Sequence, residues 1–278
     1  MPEFIAIHLS DAALLGCALR AGGARLSLGE GEPAAGVGFF QSDDLLLRKR
    51  PLTGEAIADQ LAEGVESEAA LICSGQLAGA ATPPRAYHEE ATLPFRFRRW
   101  LISFAGDPGA LAPARAALLA TLPDFLRRLA RGESAAEALV LQFLSRLREL
   151  GRLDDPELDG TSAARAMAAA LGDAERALEA RAIPRPPLAM VASNGRSLIA
   201  LRRGHPLWLR SIDGLDTCAR HEVSPQSSAQ NALAGSHRAL KARLLLSGPI
   251  APGADEGLLA IPEGGLVAID SQLKLHLM

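Results

Sequence analysis

Three cysteines in 278 residues, at positions 17, 73 and 218, are too few and too scattered for a disulfide framework or a zinc site, and no metal is expected. A reducing cytoplasm is the expected compartment. Excess charge of either sign is lacking too. The 29 Lys and Arg stand against 32 Asp and Glu, a net charge of -3, so there is no electrostatic case for a nucleic acid or an anionic membrane as partner. Local basic runs, "LLLRKRP" and "FRFRRW", interleave basic with apolar residues and read as strands with one solvated face. The opening "MPEFIAIHLSD" has neither the basic start nor the apolar run of a signal peptide. Nowhere does an apolar run approach the ~20 residues that span a bilayer. Repeats of fixed period are also missing.

What is present suits a folded protein with a sizeable core: hydrophobic residues make up 48% of the chain and charged residues 22%. "EFIAIHL" (3–9) reads as a first strand, and "GVGFFQSDDLLLRKRPL" (36–52) as two strands joined at a Ser-Asp-Asp turn. "TGEAIADQLAEG" (53–64) carries helix start and stop signals. Buried strands are expected in "EAALICSGQLAG" (68–79) and "TLPFRFRRWLISFAG" (92–106). From 107 to 151 apolar residues recur at helical spacing, and an Ala-rich helix is expected over 161–181. Strands then return as "PLAMVASNG", "RSLIALRRG" and "PLWLRSI", read as a meander around the Asn194-Gly195 turn, and again in "GLLAIPEGGLVAIDSQLKLHLM". Strands at both ends of a helical middle argue for a layered α+β architecture in one domain over 1–278, with the Pro-rich 181–187 as the plausible linker.

Polar groups are scarce where a site would be expected. The strand "RRWLISFAGD" ends on Phe104, Ala105 and Gly106, and "ALICSGQ" delivers Cys73, Gly75 and Gln76 to a loop. A buried cysteine is more often an inert small hydrophobe than a nucleophile. "YHEE" (87–90) sets His88 beside Glu89 and Glu90, but adjacent loop residues rarely converge on one ion. His205, His221 and His237 stand alone in sequence and read as surface or satisfied core residues. Trp208 in "PLWLRSI" is a candidate contact for a partner, with simple core packing as the alternative.

The order of these segments resembles class II glutamine amidotransferase domains, which belong to the N-terminal nucleophile hydrolases. "MPEFIAIHLSDAALLGCALR" is similar to their start, "GVGFF" to their Gly-Trp-Gly strand, and "ATLPFRFRRWLISFAG" to an Asn-Thr-His-Pro-Phe segment followed by a strand ending His-Asn-Gly. "RGESAAEALVLQFLSRLRE" is similar to a Gly-Asp-Thr-Asp-Ser-Glu helix start, and "IPEGGLVAID" to an Ile-Pro-Glu-Gly strand. The resemblance implies a four-layer αββα sandwich. It also implies a degenerate site. Pro2 stands where the family has its N-terminal nucleophilic cysteine, Ala105 replaces the Asn that donates to the oxyanion while Gly106 is kept, Gln76 or Gly75 falls where an Arg would hold the substrate carboxylate, and Ala135 replaces the Asp that meets the substrate ammonium. No catalytic residue and no cofactor is then expected. Pro2, Cys73, Gln76, Ala105, Gly106 and Ala135 would line a vestigial pocket, and the function would lie in binding or regulation. A protein is the expected partner, a second copy of the chain included. The alternative is altered chemistry in the same pocket.

Overall fold

A computed structural model describes residues 3–23, 32–42, 44–52, 58–77, 87–130, 132–151, 155, 158–228, 230–249 and 256–278. The first half supplies β1 (Phe4–Leu9), α1 (Leu15–Ala21), β2 (Ala34–Gln41), β3 (Asp44–Pro51), α2 (Ala58–Leu61), β4 (Ala69–Ser74), β5 (Phe95–Phe97) and β6 (Trp100–Gly106). Helices follow as α3 (Arg115–Ala120), α4 (Asp124–Arg127), α5 (Ala135–Glu149) and α6 (Gly160–Glu179). The remainder is β7 (Leu188–Ser193), β8 (Leu198–Arg203), β9 (Leu207–Asp213), α7 (Ala232–Ala239), β10 (Lys241–Ser247), β11 (Leu258–Ala260), β12 (Leu266–Ile269) and β13 (Leu275–Leu277).

These strands form two antiparallel sheets. One has the order β11-β9-β10-β1-β4-β2-β3 and the other β13-β12-β8-β7-β6-β5. Every residue of β1 is buried because both faces of the strand are covered, and such a strand reads as a continuous apolar run rather than an alternation. Phe4 and Ala6 join the core between the sheets, whereas Ile5, Ile7 and Leu9 pack with Leu15, Leu19 and Leu61 of α1 and α2. In the second sheet the alternation of β6 sets two faces as well. Trp100 meets Phe143 of α5 edge to face at 5.4 Å, while Leu101 lies so close to Gly38 of β2 that a Cβ there would come within 2.5 Å of its Cδ2. With a period of two, Ser103 and Ala105 therefore look toward the first sheet and Phe104 toward the helices. Alanines on α6, among them Ala163, Ala164, Ala170 and Ala174, are fully buried and let this helix lie close to β8 and β12. Helix, sheet, sheet and helix are thus the four expected layers.

Strands form within 3–9, 36–52, 68–79 and 92–106, where sequence patterning places them, residues 43 and 78–79 lying outside the described residues, and the Ala-rich helix runs as α6. Of the helix expected over 53–64, residues 53–57 lie outside the described residues and α2 covers part of the rest. The meander needs correction. β7 and β8 pair through a turn in which Asn194 Oδ1 accepts from the N–H groups of Arg196 and Ser197, but β9 leaves for the other sheet and pairs with β10. Gly204 and Pro206 bracket that crossing, and Gly204 adopts φ +77° with its Cα-side space closed by Pro187. Both sheets draw strands from before and after 181–187. Among the described residues no helix is long and apolar enough to cross a membrane.

Candidate functional site

The first residues of β1 sit where β4, β6 and β10 end and where the chain crosses between the sheets. Phe4 lies opposite Cys73 of β4, and Ile5 opposite Leu246 of β10. Two strands finish here on a Ser-Gly pair, Ser74-Gly75 and Ser247-Gly248. Their hydroxyls are both used. The Glu3 N–H donates to Ser74 Oγ at 3.1 Å, the Phe4 N–H donates to Ser247 Oγ at 2.7 Å, and Ser247 Oγ donates to the Glu3 carboxylate at 2.6 Å. His205, 4% exposed, faces the same carboxylate with Nε2 3.2 Å from Oε1.

Gly106 borders this group at the end of β6. Its φ is +89°, and a Cβ would stand 2.3 Å from the Pro187 carbonyl oxygen and 3.1 Å from the His205 ring. Only glycine fits there, so its retention follows from backbone geometry whatever the site does. Ala105 is fully buried and turned into the sheet interface. Cys73 is fully buried as well. Burial pushes its thiol up to about 12, and the neighbouring Ser103 hydroxyl and Lys49 ammonium offset this only in part. At physiological pH the group is a protonated thiol, the form that does not attack a carbonyl.

The other expected site residues are used locally. Gln76 pairs with Thr92 in an isolated bridge, and its Oε1 accepts from the His88 N–H at 3.0 Å, which holds the 87–92 loop. Ala135 opens α5 behind the cap residue Ser134, whose Oγ accepts from Ala136 N–H, while Glu137 reaches back to the Gly132 N–H at 2.8 Å. Pro2 lies outside the described residues. Tyr87 to Glu90 form an exposed loop in which the Glu89 carbonyl accepts from Lys49. Trp208 is half-buried on the outer core, and its indole N–H donates to the Gly248 carbonyl at 2.9 Å.

Sequence reasoning missed Glu3, Ser74 and Ser247 as a group. The signal was two Ser-Gly pairs after apolar runs, and nothing in the sequence says that both runs end beside β1. As chemistry the group is a carboxylate flanked by a hydroxyl and an imidazole. The imidazole is given to the carboxylate, not to Ser247, so the arrangement is a clamp between the two sheets and lacks the hydroxyl-to-imidazole contact that activates a serine.

Two further expectations need correction. The cysteines are not too scattered to meet, and His221 and His237 do not stand alone. Cys17 of α1, Cys218 and His221 of the short 219–221 turn, and His237 of α7 converge, with all four ligand atoms within 4.8 Å of one another. The fold brings Cys17 to the others because β1, which leads into α1, pairs with β10, the strand that follows α7. A cavity of about 390 Å³ opens beside this second cluster, lined by Gly16, Arg20, Glu63, Glu66 and Arg220 among others, and away from Cys73 and Gly106.

No protein-family model matches the chain, and no curated protein matches its sequence. Solved structures do match. A glutamine aminotransferase class-II domain protein from Silicibacter pomeroyi is 18% identical with a TM-score of 0.55, the match covering 99% of this chain and 98% of the other. A predicted glutamine amidotransferase from Pseudomonas aeruginosa is 13% identical with a TM-score of 0.52, over 99% and 95% of the two chains. The glutamine phosphoribosylpyrophosphate amidotransferase of B. subtilis is 12% identical with a TM-score of 0.50, covering 99% of this chain and 48% of its own. At such identities the likeness is one of fold, and it runs the length of the present chain. Two facing antiparallel sheets between helical layers are the fold that this chain shares with class II glutamine amidotransferase domains, the sandwich of the N-terminal nucleophile hydrolases.

Proposed function

We propose that the chain is a catalytically inactive glutamine amidotransferase-like protein that serves as a binding or regulatory module. The observation that carries this reading is the state of Cys73 and Ala105: the one thiol near the strand ends is fully buried and protonated, and the residue beside Gly106 offers a methyl group turned into the sheet interface. Among the described residues there, this thiol and this methyl group supply neither a nucleophile nor a side-chain oxyanion donor. Loss of one such donor alone costs about a hundred- to thousandfold in rate. A protein, a second copy of the chain included, is the partner class that fits the near-neutral charge. Trp208 is spent on packing and contributes little to that choice.

The test is a sensitive ammonia-release assay with glutamine and γ-glutamyl compounds. Wild type is expected at the rate of buffer. Turnover that vanishes in Cys73→Ala would make the thiol a substitute nucleophile and end the inactive reading. The convergence of Glu3, His205 and Ser247 favours one second reading, altered acid-base chemistry at the clamp. In that case turnover would survive Cys73→Ala and vanish in His205→Ala.

A further inference from the structure

The cluster on the outer side of the seven-stranded sheet has the geometry of a coordination shell. Cys17 Sγ and Cys218 Sγ are 3.5 Å apart, His221 Nδ1 lies 3.3 Å from the first and 3.7 Å from the second, and His237 Nε2 lies 3.2 Å from His221 Nδ1. A tetrahedron built on Zn–S and Zn–N bonds of about 2.3 and about 2.05 Å has edges of about 3.8 Å between sulfurs, about 3.5 Å between sulfur and nitrogen and about 3.3 Å between nitrogens. Four of the six edges match to within about 0.3 Å, and the two from His237 Nε2 to the sulfurs lie within 4.8 Å.

The surroundings orient the ligands. His237 is fully buried, and its Nδ1 lies 2.8 Å from the Leu233 carbonyl oxygen. A carbonyl only accepts, so Nδ1 carries the proton and Nε2 turns a lone pair into the cluster. That is the outer-shell contact that fixes the tautomer of metal-bound histidines. Cys218 and His221 are set side by side by a tight turn: Cys218 and Val223 exchange backbone hydrogen bonds at 2.9 and 3.0 Å, and Glu222 takes a left-handed φ of 53°. The spacing is Cys-x-x-His, followed by a helical His. The turn and α7 belong to an excursion over 214–240 between β9 and β10, and its regular structure is short. Connections of this length with little regular structure are uncommon and usually serve a function. A route in exists as well, since Cys218 and His221 are half-buried and the adjacent cavity is lined by Gly16 and Arg220, the sequence neighbours of Cys17 and His221.

We propose that Cys17, Cys218, His221 and His237 bind one Zn²⁺ in a closed structural site that pins the 214–240 excursion to α1. Two thiols give their protons to solvent and bind as thiolates, two imidazoles bind neutral through His221 Nδ1 and His237 Nε2, and the site carries no net charge. Four protein ligands leave no position open for a substrate, so the ion is structural. Soft thiolates with imidazoles in a tetrahedron select zinc over magnesium or calcium, which take oxygen ligands.

The test is elemental analysis of the full-length protein purified without chelator, where about one zinc per chain is expected. Cys218→Ser and His237→Gln should each lower that content at least tenfold. Should those variants fold poorly, wild type stripped of metal and titrated with Co²⁺ supplies an independent readout: an intense tetrahedral d–d spectrum with thiolate charge transfer, saturating at one equivalent. Three results would overturn the proposal. They are less than a tenth of an equivalent of zinc together with only the weak spectrum of octahedral aqueous Co²⁺, a stoichiometric metal other than zinc, or a Cys17–Cys218 disulfide in the protein as purified.

Discussion

His8 shows how a single side chain makes this fold sensitive to acid. It lies on β1, 3% exposed, and its Nε2 is 3.2 Å from Ser193 Oγ on β7 of the opposite sheet. Burial takes the imidazole from 6.5 down to about 4, and the Asp270 carboxylate opposes this only in part. Between those two values the unfolded chain binds a proton that the folded chain refuses, so stability falls as pH drops across the window. At ~1.4 kcal/mol per pH unit the loss attributable to His8 is about 3 kcal/mol. Urea unfolding at a series of pH values from 7 to 4 should show this decline in wild type and a shallower one in His8→Gln. Gly106 was legible as the glycine that ends its strand. His8 was not, since its partner is 185 residues away.

At the scale of elements, α6 illustrates local rules that the sequence states openly. Asp159 caps it, accepting from the N–H groups of Thr161 and Ser162 and from both hydroxyls. Burial pushes this carboxyl up, but the hydrogen bonds from Thr161 and Ser162 outweigh it and bring the group down to about 2. Replacement by alanine should cost about 1 kcal/mol near pH 7, the usual worth of such a cap. A carboxylate held below its free value stabilises above that value, so the gap between wild type and Asp159→Ala should close as pH falls from 3.8 toward 2. Thermal unfolding of the two proteins at pH 7 and pH 2 checks both statements. Apolar period made α5, α6 and β1 to β4 readable, because that signal is local. The sheet to which β9 belongs was not readable, since Leu207 to Asp213 suits either sheet and the choice is made by Gly204 and Pro206 in the crossing. The Cys-x-x-His of 218–221 was passed over, because His221 was read as standing alone, and Cys17 joins it only through the pairing of β1 with β10.

For the whole molecule the governing fact is that β1 is an inner strand held by β4 on one side and β10 on the other. A chain ending at residue 240 would leave β1 with an open edge and remove β10 to β13 from both sheets. Such a truncation should show no cooperative unfolding transition by circular dichroism or urea titration, whereas the full chain should show one. The clamp of Glu3, His205 and Ser247 and the four-residue cluster bind the same early segment to the same late one. That arrangement sets a schedule for synthesis. Residues 4–9 leave the ribosome more than 230 residues before Lys241–Ser247. At ~5–20 residues per second, this fully buried strand waits roughly 10 to 50 seconds for β10, its neighbour in the sheet. During that interval Phe4, Ile5 and Ile7 are a ready target for any factor that shelters nascent chains.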